Sequence, residues 1–178
     1  MGNHLVSGLQ QLVFSEIRQE NHVVGRVVGL IEKPGPGIHA SRDQIHVKEG
    51  IGCSGDHQKK DFWKGERIPG RQITMFSSEV ARFLGVDPVV VGDNIVSEGI
   101  DLSKLNAGEK IAIGSVTLTR SEKNHRPCEL FAERVSQEAK EAVLETNMRG
   151  ALFYVETSGT IQMGDSITLL YDEIPIIP

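Results

Sequence analysis

Cysteine is scarce in this sequence of 178 residues: there are two, Cys53 and Cys128, far apart and in no paired motif. A secreted domain that depends on disulfides would need more of them. A chain of this length can instead bury roughly 70% of its unfolded surface, so one self-sufficient domain is expected. We therefore interpret the two cysteines as reduced thiols of a cytoplasmic protein.

Long apolar runs and an excess of positive charge are also missing. No stretch approaches the roughly 18 apolar residues of a membrane-spanning helix, and the N-terminus lacks the apolar segment of a signal peptide. The formal net charge is -5, whereas domains that bind nucleic acid are usually basic. These absences argue against a membrane or a nucleic acid as a partner.

Apolar residues recur at helical spacing near the N-terminus. The pattern predicts an amphipathic helix over residues 4–20, which packs on its own domain in preference to a second subunit in a homodimer. We therefore predict a helical extension over residues 1–21 and the main domain over residues 22–178.

Short β-rich segments separated by glycine turns fill most of the main domain. Strands are predicted at residues 22–32 (bulged at a glycine), 43–49, 71–76, 89–91, 95–96, 111–119, 150–157 and 166–171. Helices are predicted between a cap at Ser77 and a stop at Gly85, and at residues 130–147. Residues 33–37 are expected to break regular structure, and residues 50–70 to form a long loop. The pattern predicts a mainly β fold with flanking helices (α+β), as a barrel or a sandwich.

Cys128 is the strongest candidate for chemistry. It ends the sequence Asn-His-Arg-Pro-Cys at the approach to the predicted long helix. Backbone amides at a helix start, with His125 and Arg126 close by, would favour a thiolate, which is a nucleophile and a soft metal ligand. The alternative is a small buried apolar residue, the commonest fate of a free cysteine.

The segment around Cys53 offers further candidates. Cys53 and His57 are four residues apart, a metal-binding spacing on a helix, but the surrounding glycines favour a turn. Asp56 and His57 could assist Cys128 in a cysteine hydrolase, or Asp56 could simply stabilise a glycine turn.

Basic residues are concentrated in the long loop and just after it. This local excess suits an anionic small molecule such as a phosphorylated cofactor, and the alternative is a solvated charged loop. Its members are Lys59, Lys60, Lys64, Arg67 and Arg71, against Asp61 and Glu66. Asn94 belongs to a Gly-Asp-Asn turn, and Arg149 either binds an anion or bonds the carbonyls that end a helix.

A series of short motifs runs through the chain in a recognisable order. They are Gly-Cys-Ser-Gly-Asp-His (52–57), Gly-Arg-Gln-Ile-Thr (70–74), Gly-Asp-Asn-Ile (92–95), Gly-Ile-Asp-Leu (99–102), Leu105, Gly108, Ile-Ala-Ile-Gly (111–114), Arg-Pro-Cys (126–128), Arg-Gly-Ala (149–151) and the segment 159–165. In this order and spacing, over roughly residues 23–170, they resemble the MOSC family. That family is named for the C-terminal domain of molybdenum cofactor sulfurase, and this chain resembles its stand-alone bacterial members.

The resemblance implies a β-barrel with flanking helices that binds the molybdenum cofactor, molybdopterin. Cys128 matches a cysteine that ligates molybdenum in enzymes reducing N-hydroxylated compounds, and that is proposed elsewhere in the family to carry sulfur as a persulfide. Asp56, Arg71, Asn94 and Arg149 match positions around the cofactor pocket. His57, one residue earlier than the histidine of many members, is included with them as a cofactor-binding candidate.

Four functions follow as hypotheses. The first is a molybdenum-dependent oxidoreductase that receives electrons from a separate reductase, because the sequence has no G-x-G-x-x-G fingerprint. The second is a sulfur carrier, in which Cys128 takes sulfur from a pyridoxal phosphate-dependent cysteine desulfurase. The third is a non-catalytic binding domain. A cysteine hydrolase comes last, since no nucleophile elbow surrounds Cys128.

Overall fold

A computed structural model describes residues 3–14 and 22–171 of the chain. In chain order the strands are β1 (Val23–Gly35), β2 (Ile38–Ser41), β3 (Gln44–Lys48), β4 (Gly52–Cys53), β5 (Phe62–Trp63), β6 (Glu66–Arg67), β7 (Ile73–Ser77), β8 (Ile95–Glu98), β9 (Lys110–Ile113), β10 (Val116–Arg120), β11 (Ala151–Thr157), β12 (Gly159–Gln162) and β13 (Ser166–Leu170). The helices are α1 (Asn3–Gln10), α2 (Ser78–Leu84), α3 (Pro88–Val91), α4 (Glu129–Arg134) and α5 (Gln137–Glu145). None of them is both long and apolar enough to cross a membrane.

A closed β-barrel forms the centre of the described structure. Around it run β1, β13, β9, β10, β11, β7 and β8, and the ring closes because β1 pairs with both β13 and β8. Neighbouring strands are antiparallel except β7 and β8, whose parallel pairing requires the crossover that carries α2 and α3. The predicted mainly β fold with flanking helices is confirmed, as a barrel rather than a sandwich.

The long strand β1 pairs with β13, β8 and β2 in turn. Its register shifts at Gly25 and Gly29, which confirms the predicted glycine bulges. A Cβ atom on Gly29 would lie 2.8 Å from Val96 Cγ2, so the close approach of β8 requires glycine there.

Apolar side chains fill two separate cores. One occupies the barrel interior, and the other lies between the helices and the outer face of β7. Leu9 and Val6 of α1 belong to the second core, where α1 contacts α2 and α5. The apolar face of the N-terminal helix therefore packs on its own domain.

The N-terminal helix is shorter than predicted. It ends at Gln10, where the next two N–H groups bond carbonyls only three residues back. The prediction is therefore wrong at residues 11–14, and residues 15–20 lie outside the described part of the chain. The proposed boundary between residues 1–21 and 22–178 stays a prediction.

The segment 33–37 is more regular than predicted. β1 continues to Gly35, so the expected break is wrong for residues 33–35, and it occurs only at the two-residue turn 36–37 that leads into β2. A register shift between Glu32 and Gly35 leaves Pro34, which has no N–H, out of the ladder. Lys33 is consequently held on a strand.

The predicted strand at residues 89–91 is instead the helix α3. Asp87 accepts a hydrogen bond from the Val89 N–H, Pro88 occupies the first turn, and Gly92 ends the helix in the left-handed region at φ 83°. These start and stop signals outweigh the β propensity of three consecutive valines.

The predicted helix at residues 130–147 is also wrong, because two helices, α4 and α5, occupy this segment. Val135 leaves the helical region, and the hydroxyl of Ser136 accepts a hydrogen bond from the Ala139 N–H at 3.0 Å. Ser136 thus caps a new helix, and Cys128 precedes a short one.

Removing this cap is expected to destabilise the fold measurably. The Ser136→Ala variant loses the hydrogen bond to the Ala139 N–H, which should lower the free energy of unfolding by about 1 kcal/mol. Urea denaturation followed by circular dichroism measures the change. Gln137→Ala, on the exposed face of the same helix, is the control, and equal costs for both variants would contradict the capping role.

Candidate functional site

Asp93 lies at the centre of a buried charged cluster. Its Oδ2 accepts a hydrogen bond from Arg149 Nη1 at 2.6 Å, and its Oδ1 lies 3.6 Å from His125 Nδ1. Burial alone would raise the pKa of Asp93, but the charges of Arg149 and Lys33 and the hydrogen bond from Arg149 lower it to about 2. Asp93 is therefore ionised at neutral pH and balances part of the surrounding positive charge.

His125 brings no charge to this cluster at neutral pH. Burial, and then the charge of Arg149, lower the pKa of His125 well below its ordinary value. Its Nδ1 atom is buried and has no hydrogen-bond partner among the described residues. The cations that oppose Asp93 are therefore arginine and lysine side chains.

The guanidinium of Arg149 is held between two aromatic rings. Its Cζ lies 5.5 Å from the ring centroid of Phe76 and 5.0 Å from that of Phe131, within cation–π range. The hydrogen bond recorded for this side chain goes to Asp93, so the interpretation that Arg149 bonds helix carbonyls is wrong. Its Nε is a buried donor without a partner in the described structure.

Asn94 ties three segments of the barrel together. Its Nδ2 donates to the Ile31 carbonyl at 3.2 Å and to Asp56 Oδ2 at 2.8 Å. Its Oδ1 accepts from the Thr74 N–H and from Lys33 Nζ, both at 3.2 Å. Because both amide hydrogens are used within the protein, Asn94 positions its neighbours, and its direct contact with a cofactor stays a prediction.

Asp56 anchors the long loop to the barrel. Its Oδ1 accepts the Lys33 N–H at 2.6 Å, and its Oδ2 lies 2.8 Å from Lys60 Nζ. With Asn94 also bound to Oδ2, both carboxylate oxygens are occupied, and the Asp56–His57 acid–base pair of the hydrolase hypothesis is not formed. His57 instead lines a neighbouring cleft of about 890 Å³ together with Lys60.

Lys33 is a buried lysine whose charge is easily lost. Its side chain is 15% exposed, and its Nζ lies 3.9 Å from Asp56 Oδ2. Burial lowers the pKa of Lys33 to about 8, although Asp56 opposes the shift. This lysine is therefore mostly charged at neutral pH and loses its charge as the pH rises through about 8.

Arg71 is a cation of this cluster with free donors. Burial lowers the pKa of Arg71, while Asp93 and Cys128 act in the opposite direction. Its side chain has no hydrogen bond or ion pair among the described residues. Its nitrogens are not fully buried, so they reach solvent. A partly desolvated guanidinium with open donors is suited to phosphate or carboxylate.

Cys128 adjoins the same cluster through its electrostatic interaction with Arg71. It is half-buried, belongs to neither apolar core, and precedes α4 without making a side-chain capping bond. The loop that leads to it is held by Arg120, whose guanidinium donates to the carbonyls of Ser121 and Lys123. The thiol is therefore partly accessible and lies within electrostatic range of a cation.

Cys53 differs from Cys128 in its surroundings. It is buried in the barrel core, and burial raises the pKa of its thiol to about 11. Residues 3–14 and 22–171 contain no group of three or more His, Cys, Asp or Glu side chains placed to hold a metal. The hypothesis of a metal site at Cys53 and His57 is therefore not supported.

Arg71, Arg149 and Cys128 were predictable from the sequence as site residues, whereas Lys33 and Asp93 were less so. Lys33 sits in a proline- and glycine-rich stretch that gives no sign of being a strand. Asp93 was predictable in part, because a charged residue directly after an apolar run has few roles other than a turn or a buried ion pair.

Anion binding at this cluster is expected to depend on pH through Lys33. Because its pKa is about 8, the charged form predominates below that pH and is lost above it. Pyrophosphate affinity should fall by up to about tenfold per unit between pH 8 and 10. Isothermal titration calorimetry measures it, and Lys33→Met should bind weakly without this slope. An equal slope in both proteins would contradict the assignment.

Comparison with known proteins agrees with the fold. The MOSC domain model matches residues 66–168, more than half of the chain. The YuaD protein from Bacillus subtilis has 23% identity and a TM-score of 0.66, over 83% of this chain and 97% of that one. YiiM from Escherichia coli has 18% identity and a TM-score of 0.60, over 83% and 70% respectively. YiiM from Geobacillus stearothermophilus has 18% identity and a TM-score of 0.55, over 86% and 77%.

At these identities the solved structures establish the fold alone, and the comparison with curated proteins finds no match. The match to the family model begins at β6, ends within β13 and includes Arg71, Asp93, Cys128 and Arg149. With its motifs, its closed barrel and this match in agreement, the chain belongs to the MOSC domain family.

Proposed function

We propose that this protein binds the molybdenum cofactor, with Cys128 as the molybdenum ligand, and in that form reduces N-hydroxylated compounds. The observation that carries the proposal is the half-buried thiol of Cys128 within electrostatic range of Arg71, whose guanidinium donors are unpaired. Membership of a family associated with the molybdenum cofactor supports it.

The residues present suit such a cofactor. The phosphate of molybdopterin is an anion, and the cations Lys33, Arg71 and Arg149 outnumber the carboxylates of Asp93 and Asp56 with which they interact. The unpaired Nε of Arg149 and the open donors of Arg71 are the groups that charge-assisted hydrogen bonds to a phosphate would use. A cysteine thiolate is in turn a soft ligand for a metal ion.

When bound, the cofactor would supply the two-electron redox chemistry that converts an N-hydroxyl group to N–H with release of water. The chain's own residues bind and orient it. Asn94 and Asp56 keep the strand that carries Lys33 in place, and Phe76 and Phe131 exclude water from Arg149. The electrons come from a separate reductase.

The same thiol supports a second function, that of a sulfur carrier. A half-exposed cysteine within electrostatic range of a cation can accept sulfur from a cysteine desulfurase as a persulfide and pass it on, with no stably bound molybdenum. If the protein is a non-catalytic binding domain instead, replacing Cys128 should leave its biological role intact.

Two assays separate these functions. In the first assay, protein purified from cells that make the cofactor is mixed with an aryl N-hydroxyamidine and reduced methyl viologen, and turnover is measured. In the second assay, the protein is incubated with a cysteine desulfurase and cysteine, and its intact mass is measured. We expect turnover by wild type and by Cys53→Ser, and none by Cys128→Ser. One added sulfur on Cys128 without turnover would favour the sulfur carrier over the oxidoreductase. If neither turnover nor an added sulfur is observed, the non-catalytic binding role remains.

A further inference from the structure

A small polar cavity lies between α5 and the loop that leads to Cys128, and the proposed function gives it no role. Its volume is about 270 Å³. The polar side chains come from the loop residues 124–126 and from Asn147, two residues beyond the end of α5. The full set of lining residues is Asn124, His125, Arg126, Val143, Leu144 and Asn147.

The ring of His125 separates this cavity from the charged cluster. Its Nδ1 is buried, lies 3.6 Å from Asp93 Oδ1 and has no hydrogen-bond partner among the described residues. The second ring nitrogen, Nε2, also has no partner in that part of the chain, but it is not fully buried. One nitrogen therefore faces Asp93, and the other opens to the cavity that the ring lines.

The carboxylate of Asp93 fixes the tautomer of His125. Against the effect of burial, the charge of Arg149 holds the pKa of Asp93 at about 2, so at neutral pH this carboxylate only accepts hydrogen bonds. A hydrogen on Nδ1 is attracted to Oδ1, whereas a lone pair on Nδ1 would be repelled by it. The hydrogen therefore lies on Nδ1, and Nε2 is the unprotonated acceptor of the neutral ring.

The surrounding charges keep the ring neutral. Burial, and then the charge of Arg149, lower the pKa of His125 well below its ordinary value, and Arg71 and Lys33 act in the same direction. Asp93 opposes them without reversing the shift. Arg126, in the wall of the cavity, adds a further positive charge. Nε2 thus keeps its lone pair at neutral pH, in surroundings that favour an anion.

The other polar groups of the cavity supply hydrogen-bond donors. Asn124 Oδ1 accepts from Arg120 Nη2 at 3.2 Å, which leaves the amide hydrogens of Asn124 without a partner in the described structure. The side chains of Arg126 and Asn147 make no hydrogen bond or ion pair among the described residues. The cavity therefore offers several donors around one acceptor.

We propose that this cavity binds a small oxyanion that carries a hydroxyl group, such as hydrogen phosphate or bicarbonate. The hydroxyl group donates to His125 Nε2, and the anionic oxygens accept from Arg126 and from the amides of Asn124 and Asn147. Sulfate has the same charge-assisted contacts to gain, but at neutral pH it has no hydrogen to donate and sets an oxygen lone pair against Nε2. The site is separate from the proposed function, because it uses neither Cys128 nor molybdenum.

The first test reads the His125 ring directly, in Arg71→Met protein without cofactor, so that anion binding at Arg71 is weakened. Nitrogen-15 NMR should show His125 protonated at Nδ1 at neutral pH. Inorganic phosphate or bicarbonate should shift the Nε2 resonance in a saturable way, and sulfate at equal ionic strength should not. A ring protonated at Nε2, no response to either hydroxylated anion, or an equal response to sulfate would overturn the inference.

The second test measures phosphate affinity by isothermal titration calorimetry, in the same Arg71→Met background. We expect Arg126→Met to weaken binding by about tenfold, as for one lost hydrogen bond to a charged group, and Asn147→Gly by about threefold. Asn147 has φ 57°, which glycine adopts without strain, so this variant removes the amide and keeps the backbone. Arg82→Met, at an exposed arginine outside the cavity, is the control and should bind as its parent does.

His125→Phe tests the selectivity of the site. It should bind phosphate at least about tenfold more weakly and should no longer prefer phosphate to sulfate. If His125→Phe does not fold, the Arg126 and Asn147 variants still decide the question. Folded Arg126→Met and Asn147→Gly proteins that bind phosphate as tightly as their parent would overturn the inference.

Discussion

Replacing Asp93 by asparagine is expected to lower the free energy of unfolding by about 3 kcal/mol or more. Asp93 and Arg149 form an ion pair at 2.6 Å, and their side chains are 3% and 8% exposed. Removing the carboxylate charge leaves Arg149 buried without its ion-pair partner, and this side chain cannot return to water while the barrel stays closed. Urea denaturation at neutral pH measures the loss.

The pH dependence of this loss provides an internal check. The pKa of Asp93 is about 2 in the folded protein and ordinarily 3.8, so its ionised form stabilises the fold above the ordinary value. The difference between wild type and Asp93→Asn should therefore shrink as the pH falls from about 4 to about 2.

A matched control separates burial from charge. Arg82 pairs with Glu98 at 3.2 Å, but its side chain is 65% exposed. Arg82→Met should cost less than about 1 kcal/mol because solvent screens the pair. Equal losses in Arg82→Met and Asp93→Asn would contradict the central role given to Asp93.

The second large effect is expected from Arg71→Met, which should weaken pyrophosphate binding by roughly tenfold to a hundredfold. Arg71 has no side-chain hydrogen bond or ion pair to lose among the described residues, so the variant should unfold at the same urea concentration as wild type or a higher one. Isothermal titration calorimetry at pH 7 measures the affinity.

Arg67→Met is the control for this experiment. Arg67 belongs to the same basic segment, but its side chain is 60% exposed and is paired with Asp61. It should bind pyrophosphate with nearly the affinity of wild type. If Arg71→Met binds equally well, or is destabilised like Asp93→Asn, then Arg71 is a structural arginine and not the anion ligand.

Much of the fold could be predicted from local sequence. Alternating side chains marked β3, and Ser77 and Gly85 marked the limits of α2, because these signals act within a few residues. Two of the failures share one cause. At α3 and at Ser136, capping groups decide between helix and strand or divide one helix into two, and apolar periodicity does not detect them.

The residues of the site could be predicted from the sequence better than the role of each residue. The motif order identified Arg71, Asn94 and Arg149, but only the folded chain shows that Asn94 uses both amide hydrogens internally while Arg71 uses none of its donors. Lys33 comes from a strand far from these motifs in sequence. Its contribution depends on the barrel closing, which no local pattern encodes.

The central claim is that Cys128 and the cations around Asp93 hold a molybdenum cofactor. The direct measurement is the molybdenum and pterin content of wild type, Cys128→Ser and Cys53→Ser, each purified from cells that make the cofactor. We predict near-stoichiometric molybdenum and pterin in wild type and Cys53→Ser, and loss of the metal in Cys128→Ser. The absence of both molybdenum and pterin from wild type would contradict the claim.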